Sequence, residues 1–152
     1  MIVNTPLGDV SIGYIGGELM CDFGSFDVET DPPAKLVEQL HGYFAGTFVG
    51  KFDVPLPRDT SFTSRCWEAC RNIPYGSTIS YAELASNANS PKASRAAGQA
   101  MRRNPMPIIT PCHRVVASTG KLHGFAGETD PNSEELRRKR FLLDLEHRTI
   151  RE

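Results

Sequence analysis

Cys112 and His113 stand side by side at the end of the run Asn104-Pro-Met-Pro-Ile-Ile-Thr-Pro-Cys-His-Arg-Val-Val116. A thiol attacks as its thiolate, and an imidazole or positive charge nearby favours that form. Besides His113, the arginines Arg102, Arg103 and Arg114 are close along the chain. Three prolines, Pro105, Pro107 and Pro111, restrict the backbone through this apolar run. Such stiffness serves to hold a side chain in place. Adjacency in sequence does not by itself put two side chains in contact, so on local grounds the pair only suggests a nucleophile. The other cysteines read differently. Cys66 and Cys70 are four apart in a segment with helical periodicity and have no second ligand pair nearby, so they are expected in the core. His41 could approach Cys21, but nothing requires it. No metal is expected.

The charge distribution points to a partner. Net charge is −1, yet residues 1–89 hold five Lys/Arg against eleven Asp/Glu, and residues 90–152 hold twelve against seven. Between Glu83 and Glu128 there is no acid, while Lys92, Arg95, Arg102, Arg103, Arg114 and Lys121 all fall there. A basic patch on a near-neutral chain attracts nucleic acid without making the whole protein basic. The helix predicted from Ser90-Pro91 to about Arg103 carries much of it. At about 100° per residue, Ala93, Ala96, Ala97, Ala100 and Met101 share one side. Lys92, Arg95, Gln99, Arg102 and Arg103 gather on another. A lone helix of this kind would be read as an ordinary surface helix. Its place after a short helix and the polar turn Asn87-Ala-Asn-Ser makes a helix-turn-helix contacting DNA the better reading. Small side chains let a backbone approach a narrow groove, which suggests minor-groove binding with base extrusion. Arg95 is then the candidate to fill the emptied position, against the plainer reading of a phosphate contact.

The elements that must position these groups form two parts. Residues 1–60 read as a small α/β unit. Val10 to Ile15 alternates in the strand period, Gly16-Gly17 turns the chain, and Leu19 to Phe23 returns. Asp31-Pro32 is expected to cap a helix whose apolar stripe is Leu36, Val37, Leu40, Tyr43 and Phe44, ending at Gly46. Lys51 to Asp59 reads as an extended linker. This part shows no catalytic constellation and is expected to act as support. Residues 61–152 turn helical: Phe62, Cys66, Ala69, Cys70 and Ile73 share a face with Trp67 beside them, and Pro74 stops the helix. Ser80-Tyr-Ala-Glu83 fits a capping box. The first residues have no basic or apolar leader, and no stretch nears the ~20 apolar residues of a spanning helix. Neither a membrane partner nor a disulfide framework is expected; the expected location is cytoplasmic, associated with nucleoid or nucleus through DNA.

PCHRVV, preceded by NPMPIIT and followed by a Gly-rich segment, resembles the active-site signature of the O6-alkylguanine-DNA alkyltransferases. The resemblance extends over nearly the whole chain through TPLG, FAG, IPYGSTISYAELA, PKASRAAGQAMRRNP and KRFLLDLE, in family order and spacing. It implies an α/β fold, in which a ribonuclease-H-like sheet-and-helix unit supports a mainly helical, winged-helix-like domain with a helix-turn-helix. It also implies a monomer that flips O6-alkylguanine from duplex DNA and moves the alkyl group onto Cys112 without a cofactor, with O4-alkylthymine left open as a second substrate. By the same resemblance His113 takes the thiol proton through water and Glu146 orients that histidine. Tyr81 would protonate the departing guanine, Lys139 assist the site, and Asn104 link the reading helix to the reactive strand. Lys92, Arg95, Ala96, Gln99, Arg102 and Arg103 would contact DNA. Tyr81, Met101, Val115, Phe125, Ala126 and Gly127 would line the guanine pocket. The thioether product does not hydrolyse, so each molecule would act once. The chain departs from the family at His123-Gly-Phe-Ala-Gly-Glu128, where GGYAGG is common, and in a longer, more charged stretch over residues 129–138.

Three other readings compete. A non-enzymatic lesion-binding relative would carry another residue, commonly Trp, at position 112. A helix-turn-helix regulator would want base-reading polar residues on its Ala-rich helix. A cysteine hydrolase would leave the basic helix unexplained.

Overall fold

The computed structural model describes residues 1–55, 59–117 and 133–151. Its first element is an antiparallel meander of β1 (Ile2–Thr5), β2 (Gly8–Ile15) and β3 (Glu18–Phe23), in that order. Alternation puts Val3, Val10, Ile12 and Cys21 on one buried face, with Val3 opposite Val10 and Ile12 opposite Cys21. The β2–β3 turn is Gly16-Gly17, both at positive φ, which glycine adopts without steric cost. Strand β1 was not among the expected elements; only Ile2-Val3 before the Pro6-Leu7-Gly8 turn hinted at it.

Helix α1 (Ala34–Ala45) covers the buried face with Leu36, Leu40 and Tyr43, and Gly46 ends it in the left-handed conformation. Its start differs from expectation. Pro33 is the N-cap and offers no side-chain acceptor, while Asp31 stays exposed near the N-terminal ammonium. Two consecutive prolines push the helical geometry past Asp31, because each disfavours α conformation in the residue before it.

Helix α2 (Phe62–Arg71) is capped by Ser61, whose Oγ accepts from Ser64 N–H at 3.1 Å. It buries Cys66, Ala69 and Cys70, and the half-buried Trp67 donates Nε1–H to the Ala100 carbonyl at 2.9 Å. Then come β4 (Ile79–Ser80), α3 (Tyr81–Asn87) and α4 (Ser94–Arg102). The capping box is present: Ser80 Oγ accepts from Glu83 N–H, and the Glu83 carboxylate accepts from Ser80 N–H. Helix α4 begins later than the Ser90-Pro91 signal implied. Ser90 to Ala93 closes a turn through Ala93 N–H to Ser90 O at 2.9 Å. An acceptor followed by proline serves a turn as well as a helix start. A 3₁₀ turn at Cys112–Arg114, strand β5 (Val115–Val116) and helix α5 (Glu134–Arg151) complete the described residues.

The result is mixed α/β, with two small sheets and five helices among the described residues. One apolar cluster joins α2, α3, α4 and Val115. The other joins the meander and α1 to Met106, Ile108, Ile109 and Leu142, so the sheet unit and the reactive segment share a core. No described helix is long and apolar enough to cross a membrane.

Candidate active site

The parallel pair β4–β5 brings the two ends of the site together. Ile79 opposes Val115 and Ser80 opposes Val116. Tyr81 starts α3 directly after β4, and Cys112–Arg114 lead directly into β5, so two residues of pairing set tyrosine and thiol in one neighbourhood. Lys139 on α5 is fully buried, donates Nζ to the Val115 carbonyl at 2.7 Å, and lies 5.9 Å from the Tyr81 ring centre. Burial pushes Tyr81 up to about 12, so the phenol keeps its proton at neutral pH. Burial pulls Lys139 down to about 8, against the opposing pull of Cys112 and Cys70.

The proline run reaches Cys112 through a knot of short bonds. Asn104 holds both ends: Nδ2–H donates to Thr110 O at 2.8 Å, and Oδ1 accepts from Met106 N–H at 3.0 Å. Ile108 sits at φ 76, a strained conformation for a β-branched residue that the surrounding packing must hold. Strand β3 fastens the run from outside through Cys21 N–H to Pro105 O at 3.2 Å. The buried Arg71 fastens it from inside, donating Nε–H to Thr110 Oγ1 at 2.9 Å and Nη1–H to the Pro55 carbonyl at 2.9 Å.

Cys112 is 7% exposed, at the wall of a cavity of about 290 Å³ that also touches Asp22, Phe23, Met101, Asn104 and Pro107. Burial pushes the thiol up, while the Asn104 hydrogen bond and the Lys139 charge pull it partway back. The resting group is therefore the thiol, and the neighbouring arginines do not offset the burial. The reason lies in where those arginines are. Arg102 and Arg103 are exposed, and Arg114 is turned into a carboxylate.

That carboxylate is Glu146, 1% exposed and supplied with five donors. Oε1 accepts from Arg114 Nε at 2.8 Å and Gly76 N–H at 3.0 Å. Oε2 accepts from His113 Nε2 at 2.5 Å, Tyr43 O–H at 2.6 Å and Arg114 Nη2 at 3.0 Å. Against the cost of burial, His113 and Arg114 hold the carboxyl down at about 2. An ionised Glu146 assigns the proton on His113 to Nε2 and leaves Nδ1 with the free lone pair. Nδ1 is buried and has no hydrogen-bond partner among the described residues. Burial lowers the imidazole, which keeps it neutral and able to accept a proton. Gly76 is required here: its φ is +82, and a Cβ would stand 2.8 Å from the Ile150 side chain.

Of the expected site residues, Cys112, His113, Glu146, Tyr81, Lys139 and Asn104 all belong to this region. Met101 lines the cavity, whereas Val115 is fully buried and meets Lys139 through its carbonyl. Phe125, Ala126 and Gly127 lie outside the described residues. Lys92, Arg95, Ala96, Gln99, Arg102 and Arg103 are all exposed along α4 and its flanks. Ala96 thus departs from the packing side, leaving Ala97, Ala100 and Met101 as the buried residues of α4. Arg95 is in the first turn of α4. Sequence reasoning missed Tyr43, whose residence in an apolar stripe hid its hydroxyl, and it read residues 1–60 as support alone. It counted Arg114 with the basic patch; only the pairing partner, 32 residues on, reveals otherwise. No group of three or more His, Cys, Asp or Glu suited to a metal occurs among the described residues.

The chain is similar to known proteins. Residues 61–148 match the family described as 6-O-methylguanine DNA methyltransferase, DNA binding domain. The methylated-DNA–protein-cysteine methyltransferase of Methanosarcina acetivorans is 50% identical over 109 residues, 71% of this chain and 65% of that protein. The chain thus spans just under two thirds of that relative's length. The protein of the same description from Methanosarcina barkeri is 38% identical over 162 residues, 99% of this chain and 98% of its own. The crystal structure of Mycobacterium tuberculosis OGT in complex with DNA superposes with a TM-score of 0.78 at 36% identity, covering 97% of this chain and 92% of that one.

Proposed function

Because the chain belongs to the 6-O-methylguanine DNA methyltransferase family, we propose that it repairs DNA by moving an alkyl group from O6 of guanine onto Cys112. The observation that carries this reading is a neutral imidazole next to the buried Cys112 in the chain, with its Nε2–H held by ionised Glu146 and its Nδ1 left without a partner among the described residues. His113 Nδ1 takes the thiol proton through water. The sulfur attacks the alkyl carbon, the S–C bond forms, and the C–O6 bond breaks with its electron pair leaving on guanine. Tyr81, kept protonated by burial, supplies the proton that guanine needs. Lys139 restores proton and charge balance beside it, and Asn104 holds the reactive strand to α4. No step regenerates the thiol, so the reaction is stoichiometric. No cofactor takes part.

Helices α3 and α4 form the helix-turn-helix of a winged-helix-like part, residues 61–152. Residues 1–60 form the ribonuclease-H-like unit beside it. The exposed stripe of Lys92, Arg95, Ala96, Gln99, Arg102 and Arg103 meets the minor groove of duplex DNA, with the small residues allowing close approach. The base enters the pocket of Tyr81, Met101, Val115, Phe125, Ala126 and Gly127. The protein acts as a cytoplasmic monomer, reaching nucleoid or nucleus through DNA.

Intact-protein mass after incubation with duplex DNA containing O6-methylguanine tests the reading. One methyl in place of one proton per chain, mapped to Cys112, is the expected result; no adduct despite lesion-selective binding would make the protein a recognition factor. Arg95 has its own test. Arg95→Ala is expected to slow transfer from duplex DNA about tenfold, since an unfilled stack leaves the cost of unstacking uncompensated. Transfer from the free alkylated base, which needs no extrusion, should stay at the wild-type rate. Equal slowing with both substrates would remove Arg95 from the flipping step.

A further inference from the structure

We propose that Tyr43, on helix α1 of the N-terminal unit, is a positioning residue of the proton relay that holds Glu146 and His113 in the arrangement where Nδ1 is the free base. The inference rests on the alkyl-transfer reading above. Tyr43 is 1% exposed, and its hydroxyl donates to Glu146 Oε2 at 2.6 Å while its oxygen lies 3.4 Å from His113 Nε2. The hydroxyl therefore sits at the junction of acid and base.

Satisfying the carboxylate does not require it. Arg114, Gly76 and His113 already supply donors to both oxygens. Nor does packing require it, for a phenylalanine would fill the same ring volume and spare the cost of burying a hydroxyl. What the hydroxyl adds is geometry. It fixes Oε2 toward His113 and places a second acceptor beside Nε2–H, which favours the tautomer with its lone pair on Nδ1. The ring is in turn held by Phe44, Phe52 and Tyr75, with centroids 5.2 to 5.9 Å away.

The effect on acidity has a definite sign. His113 is faced by Glu146 and Lys139 from α5, by Arg114 from its own turn, and by Tyr43 from α1. Glu146 stabilises the imidazolium, while Arg114, Lys139 and burial oppose it. Tyr43 draws off part of the negative charge on the oxygen that His113 touches. Without its hydroxyl the imidazolium gains, and an imidazolium has no lone pair with which to take the thiol proton.

Tyr43→Phe should slow single-turnover transfer about tenfold at neutral pH, the scale of a lost hydrogen bond to a charged group. The acid limb of its rate profile should lie at higher pH than that of wild type, so the deficit shrinks as pH rises. Val37→Ala, which thins the same helix face without touching the relay, should lower Tm and leave the profile where it was. The imidazole titration of His113, followed by nitrogen NMR in wild type and Tyr43→Phe, needs no turnover. It should show the variant protonating at higher pH. Superimposable rate profiles and titrations would overturn the proposal. A wild type that transfers nothing would sink the alkyl-transfer reading, and the titration would still decide the place of Tyr43.

Discussion

Cys112→Ala is expected to bind lesion-bearing duplex DNA like the wild type and to gain no mass from it. The substitution removes only Sγ from a residue whose backbone is fixed independently, through Cys112 N–H to Thr110 O at 2.8 Å and Arg114 N–H to Pro111 O at 2.9 Å. The turn that carries His113 and Arg114 should therefore persist, as should the exposed face of α4. No other thiol is placed to substitute. Cys21 and Cys66 are pushed by burial up to about 12 and about 11, and burial raises Cys70 well above the ordinary thiol value. None of the three is followed by a histidine backed by a carboxylate. The check is intact-protein mass alongside a binding isotherm for the same DNA. An adduct in Cys112→Ala would mean that another residue accepts the alkyl group, and the assignment of the nucleophile would fall.

Glu146→Gln is expected to damage stability and rate together. The amide cannot accept on both atoms, yet Arg114, Gly76, His113 and Tyr43 would all still point at it. Breaking one side of a buried ion pair costs about 3–5 kcal/mol, which for a chain of this size lowers Tm by on the order of 10 °C. The transfer rate should fall about 10²–10⁴-fold, because the amide no longer enforces the Nε2–H tautomer. The acid dependence has a worked sign. The folded carboxyl lies at about 2 against an ordinary 4.5. At 1.36 kcal/mol per unit, that depression contributes about 3 kcal/mol of stability above the unfolded value, lost as pH falls through the folded one. The stability gap between wild type and variant should therefore narrow from about pH 4.5 toward 2. A gap that stays constant over that range would mean the ionised carboxylate is not what holds the region together.

What could be read from the residues was whatever is local. The Ser80–Glu83 capping box, the Gly16-Gly17 turn and the Gly46 stop each depend on neighbours within four residues, and each is present. Cys112, His113 and Glu146 came from motif order, and of these His113 and Glu146 are in contact. Helix starts misled where prolines follow an acceptor, as at Asp31 and Ser90, because proline serves turns and helices alike. Tyr43 and Arg114 were opaque for another reason. A tyrosine in an apolar stripe and an arginine in a basic window look the same whether or not a carboxylate waits for them. The partner that gives both their meaning, Glu146, is 103 residues from the first and 32 from the second.

Those separations also order the assembly of the reactive centre in time. Glu146 gathers groups 103, 70, 33 and 32 residues away along the chain. Long-range closures carry the largest entropic cost and generally form late in folding. Until α5 docks, His113 has no acid behind it and the thiol of Cys112 has no tuned base. An incomplete chain thus carries an ordinary cysteine, with no base placed to take its proton. On the alkyl-transfer reading, only the finished molecule can react, so the single turnover is reserved for a protein that has already folded correctly.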